Sequence, residues 1–96
     1  MINGDIEMFV DTLHYGTDIY LIYGNQKVFI DGWWEDEIYT LRMIDLSDIK
    51  KKDSIYNFEI SGKDREKVVE EFLNKKIWNG KSFYEEAKNI EWSDPF

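Results

Sequence analysis

The sequence predicts an α+β domain: an N-terminal helix, an antiparallel β-meander of three to four strands, and two C-terminal helices packed on the sheet. Three observations lead there. Apolar residues recur at helical spacing near both ends of the chain, they alternate with polar ones in the middle, and a glycine-first pair suited to a tight hairpin interrupts the alternation. Ninety-six residues make one domain, 1–96, and a content of 43% hydrophobic residues is enough for a modest core.

Asn3 is placed to cap a first helix over about 4–14, in which Ile6, Phe9, Val10 and Leu13 share a side, and Gly16 suits its exit. The strands DIYLIY and QKVFIDGWW follow, joined by Gly24-Asn25, a pair fitted to a type II′ turn. EIYTLRMID returns after a turn at Glu35-Asp36. A fourth strand, SIYNFEIS, comes after LSDIKKKD, whose lysine run reads as a solvated loop. Val68, Val69, Phe72 and Leu73 line one side of a helix over about 63–75, with Asp64 and Glu66 in its first turn. Asn79-Gly80 breaks the chain, and Ser82 with Glu85 forms a capping box that opens a short helix to Asn89.

The segment DGWWEDE, residues 31–37, raises a specific question. Neighbouring side chains on a strand point to opposite faces, so one core cannot take both Trp33 and Trp34. A turn at Glu35-Asp36 pairs Val28 with Met43, Ile30 with Leu41, Gly32 with Tyr39 and Trp34 with Glu37. The core face is then Ile19, Leu21, Val28, Ile30, Tyr39, Leu41 and Met43, with Tyr39 covering the bare Gly32 and Trp34 near the edge. On the opposite face Asp18, Asp31 and Thr40 form one row, Tyr20, Phe29 and Arg42 the next, and Trp33 sits beside Ile38. Trp33 is thus the outward indole. Asp18 opposite Asp31 is a like-charge pair, so a cation is expected nearby or from a partner. The alternative is that the first helix covers this face.

Charge sharpens the reading. Residues 1–49 hold ten acids against Lys27 and Arg42, while residues 50–96 hold ten acids against ten bases, so the first half carries the whole net charge of −8. Such a field repels nucleic acids and membranes and attracts basic proteins, besides keeping a chain soluble. The first ten residues carry two acids and no base, and the apolar run IYLIY is too short to span a bilayer, so a cytoplasmic location is expected. The absence of cysteine excludes disulfides and thiolate chemistry.

Catalytic constellations are missing. His14 is the only histidine and falls at a helix end, where it complements the carbonyl pole of the dipole. Glu70-Glu71 and Glu85-Glu86 are adjacent on helices, not on one face, and read as solvated surface. DGWWEDE lacks the fixed ligand pattern of a calcium loop, and no phosphate-cradling glycine loop or nucleophile–base pair is present. The expectation is a non-enzymatic protein with no cofactor and no metal.

The stretch from Val68 to Trp92 resembles small bacterial proteins of unknown function that end in a G-K-S/T-F/W-x-E segment followed by I-E-W. The matching residues are Gly80, Lys81, Ser82, Phe83, Glu85, Ile90, Glu91 and Trp92, which read as a helix break, a cap and two aromatic plugs. A looser resemblance is to small acidic phage anti-CRISPR proteins that inhibit RNA-guided nucleases, some of which mimic DNA. It lies in size, charge, element order and the ending with Phe72, Leu73, Asn79, Gly80, Phe83, Tyr84, Glu85 and Glu86. That resemblance implies an inhibitor whose partner is a CRISPR effector. Such effectors hold nucleic acid in a cationic channel, and carboxylates two apart on a strand lie about 6.6 Å from each other, the order of phosphate spacing. The expected partner surface is Asp18, Asp31, Trp33, Glu35, Asp36 and Glu37, in which carboxylates accept guanidinium bonds and the indole stacks on them. The rival expectations are an immunity protein that neutralises a basic nuclease toxin and a regulatory protein-interaction module. Either a monomer or a homodimer through Phe29, Trp33 and Ile38 fits.

Overall fold

Asp5, two residues later than the expected Asn3, starts the first helix of the computed structural model, which describes residues 1–47 and 53–96. The Asp5 carboxylate accepts from the Glu7 N–H at 2.8 Å, satisfying an otherwise orphaned donor of α1 (Ile6–Tyr15). Asn3 instead holds a left-handed backbone with φ 56°. Gly16 ends the helix as expected, in the left-handed conformation with φ 75°. His14 sits in the last turn with Nδ1 2.9 Å from the Val10 carbonyl oxygen.

The sheet has five strands: β1 (Ile19–Tyr23), β2 (Gln26–Glu35), β3 (Ile38–Asp45), β4 (Phe58–Gly62) and β5 (Glu91–Ser93), in the order β4-β3-β2-β1-β5, with every neighbour antiparallel. The first hairpin has the expected register, Leu21 facing Val28 and Ile19 facing Ile30, around Gly24 at φ 58°. The fourth strand begins four residues later than its alternation suggests. Ser54 to Asn57 form a turn instead, in which Ser54 Oγ donates to the buried Asp45 carboxylate at 2.6 Å and the Asn57 N–H donates to the Ser54 carbonyl. The lysine run read as a solvated loop lies outside the described residues. β5, the I-E-W segment, is an additional strand: a three-residue stretch after a helical turn offers too little alternation to show its pairing with β1.

Asp64 caps α2 (Arg65–Asn74), and the capping box of Ser82 and Glu85 opens α3 (Phe83–Glu86), which tightens into a 3₁₀ turn over 87–89. One layer of helices lies on one face of the sheet. Val68, Val69, Phe72 and Leu73 of α2, Phe9 and Leu13 of α1 and Phe83 of α3 are all buried with the strand residues Ile19, Leu21, Val28, Ile30, Tyr39, Leu41, Met43 and Ile60. Burial of each large apolar side chain contributes about 1.5–3 kcal/mol. The rings of Phe9 and Phe83 stack at 4.4 Å and Trp92 meets Phe9 edge-on at 6.0 Å, so the two aromatic plugs of the C-terminal segment lock α1 to the end of the chain. Glu86 departs from the solvated surface expected of it. It is buried, accepting from Tyr23 Oη at 3.0 Å and from Asn89 Nδ2 at 2.8 Å.

Candidate functional site

The hairpin joining β2 to β3 is built around Asp36 and Glu37, whose φ values of 52° and 66° are both left-handed, as a two-residue type I′ turn requires. The turn is therefore one residue later than Glu35-Asp36. Each partner moves by two: Glu35 faces Ile38, Trp34 faces Tyr39, Gly32 faces Leu41 and Asp31 faces Arg42. A shift of two keeps every side chain on its original face, so the expected core face stands although its β2–β3 pairings do not. Tyr39 still covers Gly32, diagonally: a Cβ added at Gly32 would lie 2.8 Å from its hydroxyl. That hydroxyl donates to the Leu13 carbonyl at the end of α1. Alongside, the Gly32 N–H donates to the Gly16 carbonyl at 3.2 Å, and a Cβ on Gly16 would lie 2.7 Å from the Gly32 carbonyl oxygen. Glycine at both positions lets the helix end meet the strand backbone to backbone.

This contact places α1 on the core face with the other helices, so among the described residues the opposite face carries no helix. Along it run Tyr20, Phe29 and Ile44 in one cross-strand row, Asp31, Arg42 and Glu59 in the next, then Trp33, Thr40 and Ser61. Tyr20, Phe29, Trp33 and Ile44 are each half-buried. Phe96 closes one side, edge-on to Tyr20 at 5.4 Å and beneath the Lys27 ammonium at 5.5 Å.

Trp33 does face outward, but Arg42 covers it, with the guanidinium 5.2 Å from the ring centroid. The same guanidinium grips Asp31 through Nε at 2.9 Å and Nη2 at 2.7 Å. The Asp31 hydrogen bond pushes the arginine pKa above its ordinary value against the opposing effect of burial, and the charges of Asp31, Glu59 and Asp18 add to it. Arg42 is the cation that the acidic pair called for. The direct Asp18–Asp31 rung is absent, because β1 begins its pairing at Ile19 with Ile30. Asp31 is thereby committed to an internal ion pair, worth about 0.5–1 kcal/mol at this partly exposed position.

The open indole is Trp34. It is 52% exposed and leans on Tyr39 with ring centroids 5.1 Å apart, beside an open depression of 560 Å³ formed with Lys63, Asp64, Arg65 and Glu66. Core-face alternation hides this residue from sequence reasoning: it sits beyond the last layer of core side chains, where the face continues without a lid. Glu35, Asp36 and Glu37 follow directly, all exposed, and their carboxylates form no ion pair or hydrogen bond with described residues. Asp18 is also exposed. The structure thus gathers Trp34, Glu35, Asp36 and Glu37 at one tip, leaves Asp18 at the start of β1, and removes Asp31 and Trp33 into the Arg42 cluster. Arg42 was legible as one of two bases in the acidic half; its pairing was not, because the register was off by two.

Among the described residues no three histidine, aspartate or glutamate side chains converge to hold a metal, and no helix is long and apolar enough to cross a membrane. Comparison with protein-family models, with curated proteins and with solved structures finds no match.

Proposed function

We propose that the protein is a small acidic, non-enzymatic inhibitor of a basic nucleic-acid-handling protein, most specifically an RNA-guided CRISPR nuclease, acting in the cytoplasm by occlusion or mimicry of nucleic acid. The observation that carries the reading is the β2–β3 tip, where three carboxylates with no partner among the described residues stand beside a half-exposed indole. Arginine-rich channels present the complementary groups, since guanidinium bonds carboxylate and stacks on indole. The net charge of the amino-terminal half adds long-range attraction to the same partner. Asp31 and Trp33 contribute by holding Arg42 in place rather than by touching the partner, and Asp18 extends the acidic surface along the sheet. The choice of a CRISPR effector over other basic proteins rests on the resemblance of the C-terminal segment and element order.

The test is capture from host lysate at low and high salt, with a Glu35→Lys, Asp36→Asn, Glu37→Lys variant as control. Asparagine at position 36 keeps a residue that tolerates the left-handed backbone. Salt-sensitive recovery of a CRISPR effector by the wild type, reduced at least tenfold in the variant, is the expected result. Recovery of a nuclease toxin would establish the immunity reading instead, and equal recovery by both baits would end the assignment of this surface.

A further inference from the structure

The two ends of the sheet are finished differently. At the β5 end, Ile2 bridges the edge: its N–H donates to the Ile90 carbonyl at 3.0 Å and its carbonyl accepts from the Trp92 N–H at 2.9 Å. At the other end, β4 pairs with β3 alone among the described residues, and its outer backbone groups meet no other strand. A groove of 710 Å³ runs along this open edge, between Ser61 and Gly62 on the strand and Lys67, Glu70, Glu71 and Asn74 on the flank of α2. An edge left in this state is a template for another strand.

From these features we propose that the open β4 edge pairs antiparallel with β4 of a second copy, giving a two-fold homodimer whose sheets are continuous and whose α2 helices pack together. The β4 sequence is complementary to itself in that arrangement. A two-fold axis at Ser61 sets Glu59 opposite Lys63 of the second copy, and the same pair recurs on the other side of the axis. It also sets the core residue Ile60 opposite Gly62, so that no bulky pair meets beside the axis on the helix-covered face.

The helix flank obeys the same symmetry. Val68 touches Gly62, its Cγ2 lying 3.2 Å from where a glycine Cβ would be, so α2 runs back over the strand from that point. A helical side chain covers a spot about one residue behind its own Cα, and one strand residue spans about two helical ones, which brings Val69 about level with Ser61. An axis there places Lys67 opposite Glu71 of the second copy, again twice. Both residues are exposed and neither forms an ion pair with a described residue of its own chain. α2 packs across both β3 and β4, so with strands about 4.8 Å apart the two helices come about 10 Å from each other, an ordinary helix-packing distance. The contact is isologous and closes at two subunits.

Sedimentation equilibrium of the full chain over a concentration series tests this. The expected result is a dimer whose dissociation constant rises at least tenfold in Lys67→Glu and in Glu71→Lys, and returns toward the wild-type value when both changes are combined, because the swap restores opposite charges across the axis. Thermal melts of the single variants, both at exposed positions, check that each remains folded. A monomer at every concentration overturns the proposal, whatever else the edge then binds. So does a dimer indifferent to either single change, a double variant no tighter than the singles, or a dimer that Trp33→Ala dissociates while Lys67→Glu does not.

Discussion

Tyr23 and Glu86 are far apart in sequence yet share a hydrogen bond, and that bond contributes to the pKa shift of each. Burial, then the bond to Glu86, pushes the Tyr23 phenol from 10.0 up to about 12. Bonds from Asn89 and then Tyr23 hold the Glu86 carboxyl below its ordinary value of 4.5. The signs follow from linkage: the phenol's contribution to stability is whole below pH 10 and fades as pH climbs through about 12, whereas the carboxylate's is present above pH 4.5 and fades as pH falls through its lowered value. In a tyrosinate absorbance titration, Tyr23→Phe should delete one late-ionising phenol, and Glu86→Gln should move that phenol part of the way back toward 10. An alkaline curve unchanged by Glu86→Gln would show that the bond does not hold the proton. Nothing local in FYEEAKN announces this pair, because the partner comes from β1; the sequence offers only two adjacent glutamates on a short helix, and surface is the ordinary reading of those.

Among the elements, the second hairpin shows where local signals run out. Gly24-Asn25 carries a strong turn signal and its register follows, but WWEDEIY contains no glycine or asparagine, so the two possible turn positions differ little in intrinsic preference. The structure adopts the one that leaves Glu37 at φ 66°, a conformation that glycine accepts without strain. Glu37→Gly creates the Asp-Gly pair preferred at this turn and should stabilise the fold by about 0.5–1 kcal/mol in urea denaturation. A loss of stability would mean that the turn sits elsewhere. The caps at Gly16 and Ser82 were readable because each rests on one residue's own chemistry. β5 was not, because its existence depends on β1 and on Ile2.

For the molecule as a whole, the α+β class and the core face were legible because helical spacing and strand alternation survive a change of register. Which side the first helix takes was not. Both faces of the sheet are partly apolar, and the choice is made by a backbone contact between Gly16 and Gly32 and by the Tyr39 hydroxyl on Leu13, neither of which leaves a periodic trace. The consequence for function is large, since that choice leaves one sheet face without helices among the described residues and leaves Trp34, Glu35, Asp36 and Glu37 exposed at the hairpin tip.

The bridge made by Ile2 governs valency. A subunit with one adhesive edge stops at a pair; a subunit with two has no natural stopping point and grows into a filament. Ile2 occupies the second edge with two backbone hydrogen bonds, so a single residue separates a closed assembly from an open-ended one. Ile2→Pro removes the N–H that donates to Ile90, and light scattering of that variant should rise with time and protein concentration. Adding Lys67→Glu should suppress the rise, because a chain needs both edges to propagate.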